Sequence, residues 1–220
     1  MERSFVIIKP DGTARRRVSA LVLKALLDRG YKICAFREMK VPESLAKLHY
    51  AVHKEKPFFP WLVDFISSAP VLSMIFEGDD VIQGVRDALG ATFVQKADPT
   101  SLRGRYGIWA GINIAHASDA PETAKKEIEL WTIKGGLKES SDAEEHAKAY
   151  IEQYNSGDVD YTMEIRSIVK NAIENRDISD DVLQSLVHYL EKDSKGISPE
   201  EISDLASAIF DFVKEEVEKA

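Results

Sequence analysis

Hydrophobic and polar positions change rhythm several times along this chain, and each change marks an element. Phe5-Val6-Ile7-Ile8 is a short, β-branched apolar run that reads as a buried strand, and Lys9-Pro10-Asp11-Gly12 ends it in a turn. After the basic cluster Arg15-Arg16-Arg17, the positions Val18, Leu21, Val22, Ala25 and Leu26 follow helical spacing, with Gly30 placed to stop the helix. Tyr31 to Arg37 alternates as a second strand. Pro42-Glu43-Ser44 then opens a helix to about His53, with Leu45, Leu48 and Val52 on one side. A loop from Lys54 to Pro60 leads to a short apolar helix from Trp61 to Ser67.

Pro70 to Glu77 predicts a third strand, and Asp79-Asp80 caps a helix through Leu89 that Gly90 closes. From Ala91 to Gly107 nothing is periodic, which predicts a long polar loop of the kind that carries function. An apolar approach through Ile108, Trp109, Ala110, Ile112 and Ile114 predicts a fourth strand leading to a single histidine, His116. Ser118 and Asp119 offer N-cap oxygens, and Pro121 and Glu122 suit the first turn of a helix ending near Trp131.

This order predicts an α+β fold, a ferredoxin-like four-stranded antiparallel sheet with helices on one face. Past Trp131 the pattern breaks at Lys134-Gly135-Gly136. Three or four acidic amphipathic helices are then predicted, over roughly 141–154, 160–175, 178–192 and 198–218. The last starts with the capping-box pattern Ser198-Pro199-Glu200-Glu201 and carries an apolar stripe of Leu205, Ile209, Phe212 and Val213. The expected organisation is one unit over 1–134 and an all-helical extension over 135–220, either a cover for the domain surface or a docking module for a protein partner.

Composition supports that division. With 44% hydrophobic and 30% charged residues the chain is globular in character. Its net charge of -8 is unevenly spread: residues 1–134 carry 20 Lys and Arg against 16 Asp and Glu, whereas residues 135–220 carry 9 against 21. The acidic second part would repel a phosphate backbone, so a nucleic-acid partner is not expected. Cys34 is the one cysteine, which excludes an intrachain disulfide and a cysteine-based metal site. The first apolar run is too short for a signal segment and no later run approaches membrane-spanning length, so a cytoplasmic protein without a membrane partner is expected.

A lone histidine among small residues is ordinarily a hydrogen-bonded structural group, yet neutral imidazole can also carry a group covalently. The company of His116 favours the second role. Lys9 supplies a point charge, Arg86 and Arg103 supply planar multidentate donors, and Thr92 and Tyr50 supply hydroxyls, a set that makes sense around a nucleotide phosphate chain.

Lys9-Pro10-Asp11-Gly12, the stretch His53 to Pro60, Arg86 with Gly90-Ala91-Thr92, Arg103-Gly104 and Asn113-x-x-His116-x-Ser118-Asp119 resemble the nucleoside diphosphate kinases in order and spacing, over residues 2 to about 132. The resemblance implies a ping-pong transfer in which His116 takes the γ-phosphoryl group of ATP and gives it to a nucleoside diphosphate. It implies that Glu127 orients the imidazole with support from Ser118. Lys9, Tyr50, Arg86, Thr92, Arg103 and Asn113 would surround phosphates and ribose, with Phe58 stacked on the base and Leu62 beside it.

It further implies Mg²⁺ carried by the nucleotide with no metal ligand on the protein, and a homo-oligomer, a hexamer or a tetramer of dimers. Three departures from the family pattern stand out: Ala117 where Gly is usual, the loop Pro99-Thr100-Ser101-Leu102-Arg103-Gly104-Arg105 where Pro-Gly-Thr-Ile-Arg-Gly-Asp is typical, and Ile112 where Arg is frequent. Ala117, the altered loop and the extra helices motivate an alternative in which a catalytically decayed nucleotide-binding scaffold recruits a protein through its helices. A further alternative is a protein-histidine kinase or phosphocarrier activity using the same His116.

Overall fold

The computed structural model describes residues 1–157 and 159–219. Strands β1 (Glu2–Ile8), β2 (Lys32–Met39), β3 (Val71–Gly78) and β4 (Ala115–Ala117) form one antiparallel sheet in the order β2-β3-β1-β4. Around it run α1 (Pro10–Thr13), α2 (Arg16–Leu27), α3 (Glu43–His49), α4 (Phe59–Ser68), α5 (Val81–Leu89), α6 (Leu102–Tyr106) and α7 (Pro121–Ile133).

Successive side chains of a strand point to opposite faces, and both faces of β1 are buried. Val6 and Ile8 pack with Val18, Val22, Leu26 and Val85 of α2 and α5, while Phe5 and Ile7 pack with Leu45, Ala46, Val63, Ile66 and Trp131 of α3, α4 and α7. The helices therefore cover both faces, not the one face expected.

The predicted loop before Gly107 contains a 3-10 turn at Val94–Lys96 and the five-residue helix α6, too short to show a helical period. The Ser101 hydroxyl caps α6 by accepting the Gly104 N–H at 3.2 Å. The apolar approach to His116 is a strand only over Ala115–Ala117. Ile108 to Ile112 folds into a tight turn closed by Ile108 N–H to Ile112 C=O at 2.8 Å, with Ala110 at φ 41. Those residues are apolar because Ile108 and Ile112 are buried in a cluster with the C-terminal helices.

Two capping expectations fail as well. Ala120 is the N-cap of α7 without a side-chain bond, and Asp80 caps α5 in the left-handed region, again without one. The helix expected to reach His53 stops at His49 and passes into a 3-10 turn at Ala51–His53.

The extension contains α8 (Ala143–Tyr154), α9 (Thr162–Asn175), α10 (Asp180–Glu191) and α11 (Pro199–Lys219), within three residues of the predicted bounds. The capping box at Ser198 is present: Ser198 Oγ accepts the Glu201 N–H at 3.2 Å and Glu201 Oε2 accepts the Ser198 N–H at 3.0 Å. Leu205, Ile209 and Val213 of the predicted stripe are buried with Ile165, Val169 and Leu186, and the same cluster includes Phe65, Ile108 and Ile112 of the first part.

Docking to the rest of the chain uses the Arg15–Arg17 cluster. Arg15 donates to Thr162 Oγ1 at 2.7 Å, Arg16 to Tyr150 Oη and Lys195 C=O at 3.0 Å each, and Arg17 to Asn155 C=O at 3.0 Å. Helix α8 lies over α2 and β2, and the outer edge of β2 is met by Glu139 and Ser140, the latter donating its N–H to Cys34 C=O at 3.0 Å. An edge strand that would otherwise offer unpaired backbone groups is partly closed by the chain itself.

Candidate active site

Strand β4 pairs with β1 so that His116 lies opposite Ile7, on the sheet face that carries Phe5 and Trp131. Helix α7 returns over that face and presents Glu127. His116 Nε2 and Glu127 Oε1 are 2.7 Å apart, and the other carboxylate oxygen accepts the Ser118 hydroxyl at 2.6 Å. With Nε2–H donated to the carboxylate, neutral His116 keeps the Nδ1 lone pair free, the arrangement a nucleophile needs. Ser118 serves this pair, not the helix cap expected of it.

Behind His116 stands His49, its ring centroid 4.7 Å away and nearly perpendicular. Trp131 Nε1–H donates to His49 Nδ1 at 3.3 Å, leaving Nε2 shielded and without a partner. Burial, reinforced by His116 and His53, holds the His49 imidazole well below its ordinary pKa, so it adds no positive charge behind the site.

The backbone just before His116 is strained. Ile114 sits at φ 67, a left-handed conformation that a β-branched residue adopts at a cost of about 1–3 kcal/mol. Two bonds hold it there: its N–H donates to Asp11 Oδ2 at 2.9 Å, and its C=O accepts the Lys9 N–H at 2.7 Å. Gly12 is required by the same contact, since a Cβ there would lie 2.7 Å from Ile8 Cγ2 and 3.2 Å from the Ile114 carbonyl. Ala117, by contrast, is ordinary β4 strand paired with Val6, so the family's usual glycine is not needed for a left-handed turn.

Around this centre the cationic and amide groups are brought together. Lys9 Nζ donates to Gly111 C=O at 2.7 Å, and burial pushes its pKa down to about 8, with Arg103 lowering it and Asp11 opposing. Arg103 donates to Gly90 C=O and Ala115 C=O at 2.8 Å each, its Nε buried and unpartnered. Burial and the charge of Arg86 push its pKa down to about 10. Asn113 Nδ2 donates to Thr92 C=O at 2.7 Å, leaving Oδ1 unpartnered. Lys9 and Arg103 are cations bonded here to neutral carbonyls, which leaves their charge for an anion, whereas Asn113 Oδ1 is an acceptor that a hydroxyl would complete.

The other side of the site is aromatic. Tyr50 is 7% exposed, and burial first and Glu127 second push its pKa up. A run of ring contacts, His116 to His49, His49 to Tyr50, Tyr50 to His53 and His53 to Phe58, spans the distance to Phe58 at centroid separations of 4.7, 4.6, 6.5 and 5.6 Å. Phe58 is 41% exposed, and Leu62 is half-buried on α4 against the cluster that contains Phe5, Tyr50 and Trp131.

Among the described residues one group has metal-ligating geometry, His49, His116 and Glu127, with donor atoms within 4.8 Å of one another. Both Glu127 oxygens are already engaged, and Asp11 Oδ2 accepts the Ile114 N–H while Oδ1 is buried without a partner. Beside them the cations Lys9 and Arg103 are bonded to neutral carbonyls. Sequence reasoning missed Asp11, His49 and the strain at Ile114. For Trp131 the usable signal was its position four residues after Glu127 on one helix face.

The family model described as nucleoside diphosphate kinase matches residues 2–135. A nucleoside diphosphate kinase of Methanothermobacter thermautotrophicus is 48% identical over 131 residues, covering 60% of this chain and 87% of that protein, and one of Trichormus variabilis is 47% identical over the same shares. Among solved structures, a halophilic nucleoside diphosphate kinase of Halobacterium salinarum in complex with CDP has a TM-score of 0.58 and 39% identity over 66% of this chain and 97% of that one. The Aquifex aeolicus nucleoside diphosphate kinase gives 0.56 and 37% over 59% and 93%. A match over more than half of the chain, with sheet and imidazole centre both in place, makes this protein a member of the nucleoside diphosphate kinase family.

Proposed function

We propose that the chain moves the γ-phosphoryl group of ATP to a nucleoside diphosphate by way of a phosphohistidine on His116 Nδ1. The observation that carries this reading is the fixed imidazole: Glu127, itself held by Ser118, engages Nε2 and frees Nδ1. In the first half-reaction an Nδ1–P bond forms and the bond from Pγ to the β,γ-bridging oxygen breaks, releasing the diphosphate. In the second, a terminal oxygen of the acceptor's β-phosphate attacks and the N–P bond breaks. No proton has to move, because the carboxylate of Glu127 balances the imidazolium-like charge of the intermediate.

Arg86 and Arg103 grip the phosphates with Thr92 and Tyr50, Lys9 and Asn113 lie toward the ribose 3′-hydroxyl, Phe58 stacks on the base and Leu62 flanks it. Stacking reads little of a base edge, which supports broad base tolerance. A divalent metal, taken here as Mg²⁺, accompanies the nucleotide and neutralises phosphate charge.

Residues 1–134 are assigned the chemistry and 135–220 its support. No helix among the described residues is long and apolar enough to cross a membrane. The substrates and the reduced thiol of Cys34 favour a cytoplasmic location. Homo-oligomers would assemble through surfaces other than the outer edge of β2, which Glu139 and Ser140 occupy.

The test is brief labelling with γ-labelled ATP and Mg²⁺, a GDP chase, and the same on His116→Asn. Acid-labile, alkali-stable label on the wild type alone, discharged by GDP, is expected. Absence of label with ATP still bound would refute the reading. The ordinary strand geometry of Ala117 removes one motive for a decayed scaffold.

A further inference from the structure

Helix α6 carries Arg103 and is only five residues long: the Gly107 N–H closes on Arg103 C=O at 2.9 Å, and the carbonyls after it have no partner within the helix. Two guanidinium groups take them. Arg15 donates to Tyr106 C=O at 2.8 Å. Arg166 of α9 donates through Nε to Gly107 C=O at 2.5 Å and through Nη2 to Gly104 C=O at 2.7 Å and Arg103 C=O at 3.4 Å.

Cations at a helix C-terminus are favourably placed, and a fork that spans three carbonyls fixes direction as well as charge. The two arginines are tied to one support: Arg15 also donates to Thr162, which starts α9 four residues before Arg166. The extension therefore holds the backbone of the residue whose side chain faces the phosphates.

That backbone anchor matters because the side-chain anchor is provisional. Arg103 spends two N–H groups on Gly90 and Ala115 carbonyls and leaves Nε unpartnered, so a bound phosphate has to compete for the fork. While those bonds exchange, only the main chain keeps the guanidinium in register. The segment 99–102 before it also departs from the family pattern, and Ile112 nearby is buried in the cluster shared with the extension.

We infer that Arg166, in the helical extension, is a positioning residue for Arg103, setting nucleotide affinity by clamping the carbonyls of α6. The inference rests on the phosphate-gripping role given to Arg103 above. Its test uses the full chain with Arg166→Met, Arg166→Lys and, as a control on docking of the extension far from α6, Tyr150→Phe, which loses the bonds to Arg16 and Ser19. Steady-state kcat and KM for ATP and GDP, the Kd for ADP by calorimetry, and Tm are measured for each.

The expected result for Arg166→Met is a rise of about tenfold in KM and in ADP Kd with kcat within about threefold, the signature of lost uniform binding. Arg166→Lys recovers only part, since a point charge cannot span three carbonyls. Tyr150→Phe lowers Tm and leaves KM unchanged. Unchanged KM and Kd in Arg166→Met, or equal rises in Tyr150→Phe, would overturn the inference. Should Arg166→Met fail to fold, Arg166→Lys decides by the same criterion. A wild type that binds ADP without turnover would count against the function, whereas the Kd comparison would still judge Arg166.

Discussion

The two parts of this chain treat buried polar atoms in opposite ways. Among the described residues, the buried side-chain atoms without a hydrogen-bond partner all precede residue 135, and four of the residues that carry them, Asp11, His49, Arg103 and Asn113, belong to the candidate site. The helices after residue 135 instead complete bonds that the first part leaves open, at Arg15, Arg16, Arg17 and the end of α6. Unfilled polar capacity is costly, and its concentration around His116 accords with the nucleotide role proposed for this site. The comparison also shows that charge asymmetry is a poor guide to docking. Ion pairs joining the two parts, Arg3 with Glu139 and Lys40 with Asp204, lie on the surface and contribute little, while buried guanidinium–carbonyl bonds and a shared apolar cluster hold the parts together.

Removing residues 138–220 tests that comparison most severely. Phe65, Ile108 and Ile112 would return to solvent at about 1.5–3 kcal/mol each, and three arginines would lose buried acceptors. Together these losses rival the 5–15 kcal/mol of a whole domain. The truncated chain is expected to melt at least about 20 °C lower than the full chain or to aggregate, read by circular dichroism and size-exclusion chromatography. A truncated protein melting within a few degrees of the full one would mean that the first part is self-sufficient.

Glu127→Gln addresses the other part. The amide can still accept from His116, but it loses the charge that balances the intermediate, and its NH₂ meets a Ser118 hydroxyl that previously donated. A fall of about 10²-fold in kcat/KM is expected, with Tm changed by a few degrees at most. Turnover within threefold of wild type would remove Glu127 from the orienting role.

What could be read from sequence follows the same divide. The order of strands and the four C-terminal helices were legible because their apolar periods run over whole elements, as in Val18 to Leu26 or Leu205 to Val213. Lys9, Arg103, Asn113 and His116 were legible because the family pattern fixes their order and spacing. Neither signal reaches Arg166, whose partners are main-chain carbonyls without residue identity, or His49, whose partner is Trp131 across the fold. Ile108 to Ile112 misled as a strand because burial beneath the extension looks, in one dimension, like burial in a sheet.

Lys9 gives an effect of intermediate size with two opposite faces. Its pKa is pushed down to about 8 from 10.5 by burial, so in the ligand-free protein Nζ loses its charge as pH rises through 8. Activity as kcat/KM is expected to fall about tenfold per pH unit above that point, since the free enzyme then lacks the cation proposed to lie toward the ribose 3′-hydroxyl. Stability moves the other way. Between about pH 8 and 10.5 the unfolded chain binds more protons at this lysine than the folded one, so unfolding free energy rises with pH over this window from this group. Lys9→Met should abolish the alkaline limb and raise Tm at pH 7. A lower Tm in that variant would show that the Gly111 bond outweighs the burial of charge.

The smallest effect is expected at the position where this chain departs from its family beside His116. Ala117 occupies extended backbone in β4, paired with Val6, and its side chain is 6% exposed within the apolar cluster that includes Val6 and Ile8. Ala117→Gly would therefore relieve no strain and would remove a packed methyl while loosening a three-residue strand. A loss of about 0.5–1 kcal/mol in stability is expected, with kcat within twofold of wild type. A clear gain in turnover would instead show that the Cβ perturbs the path of His116, and that the strain needed at the site is not borne by Ile114 alone.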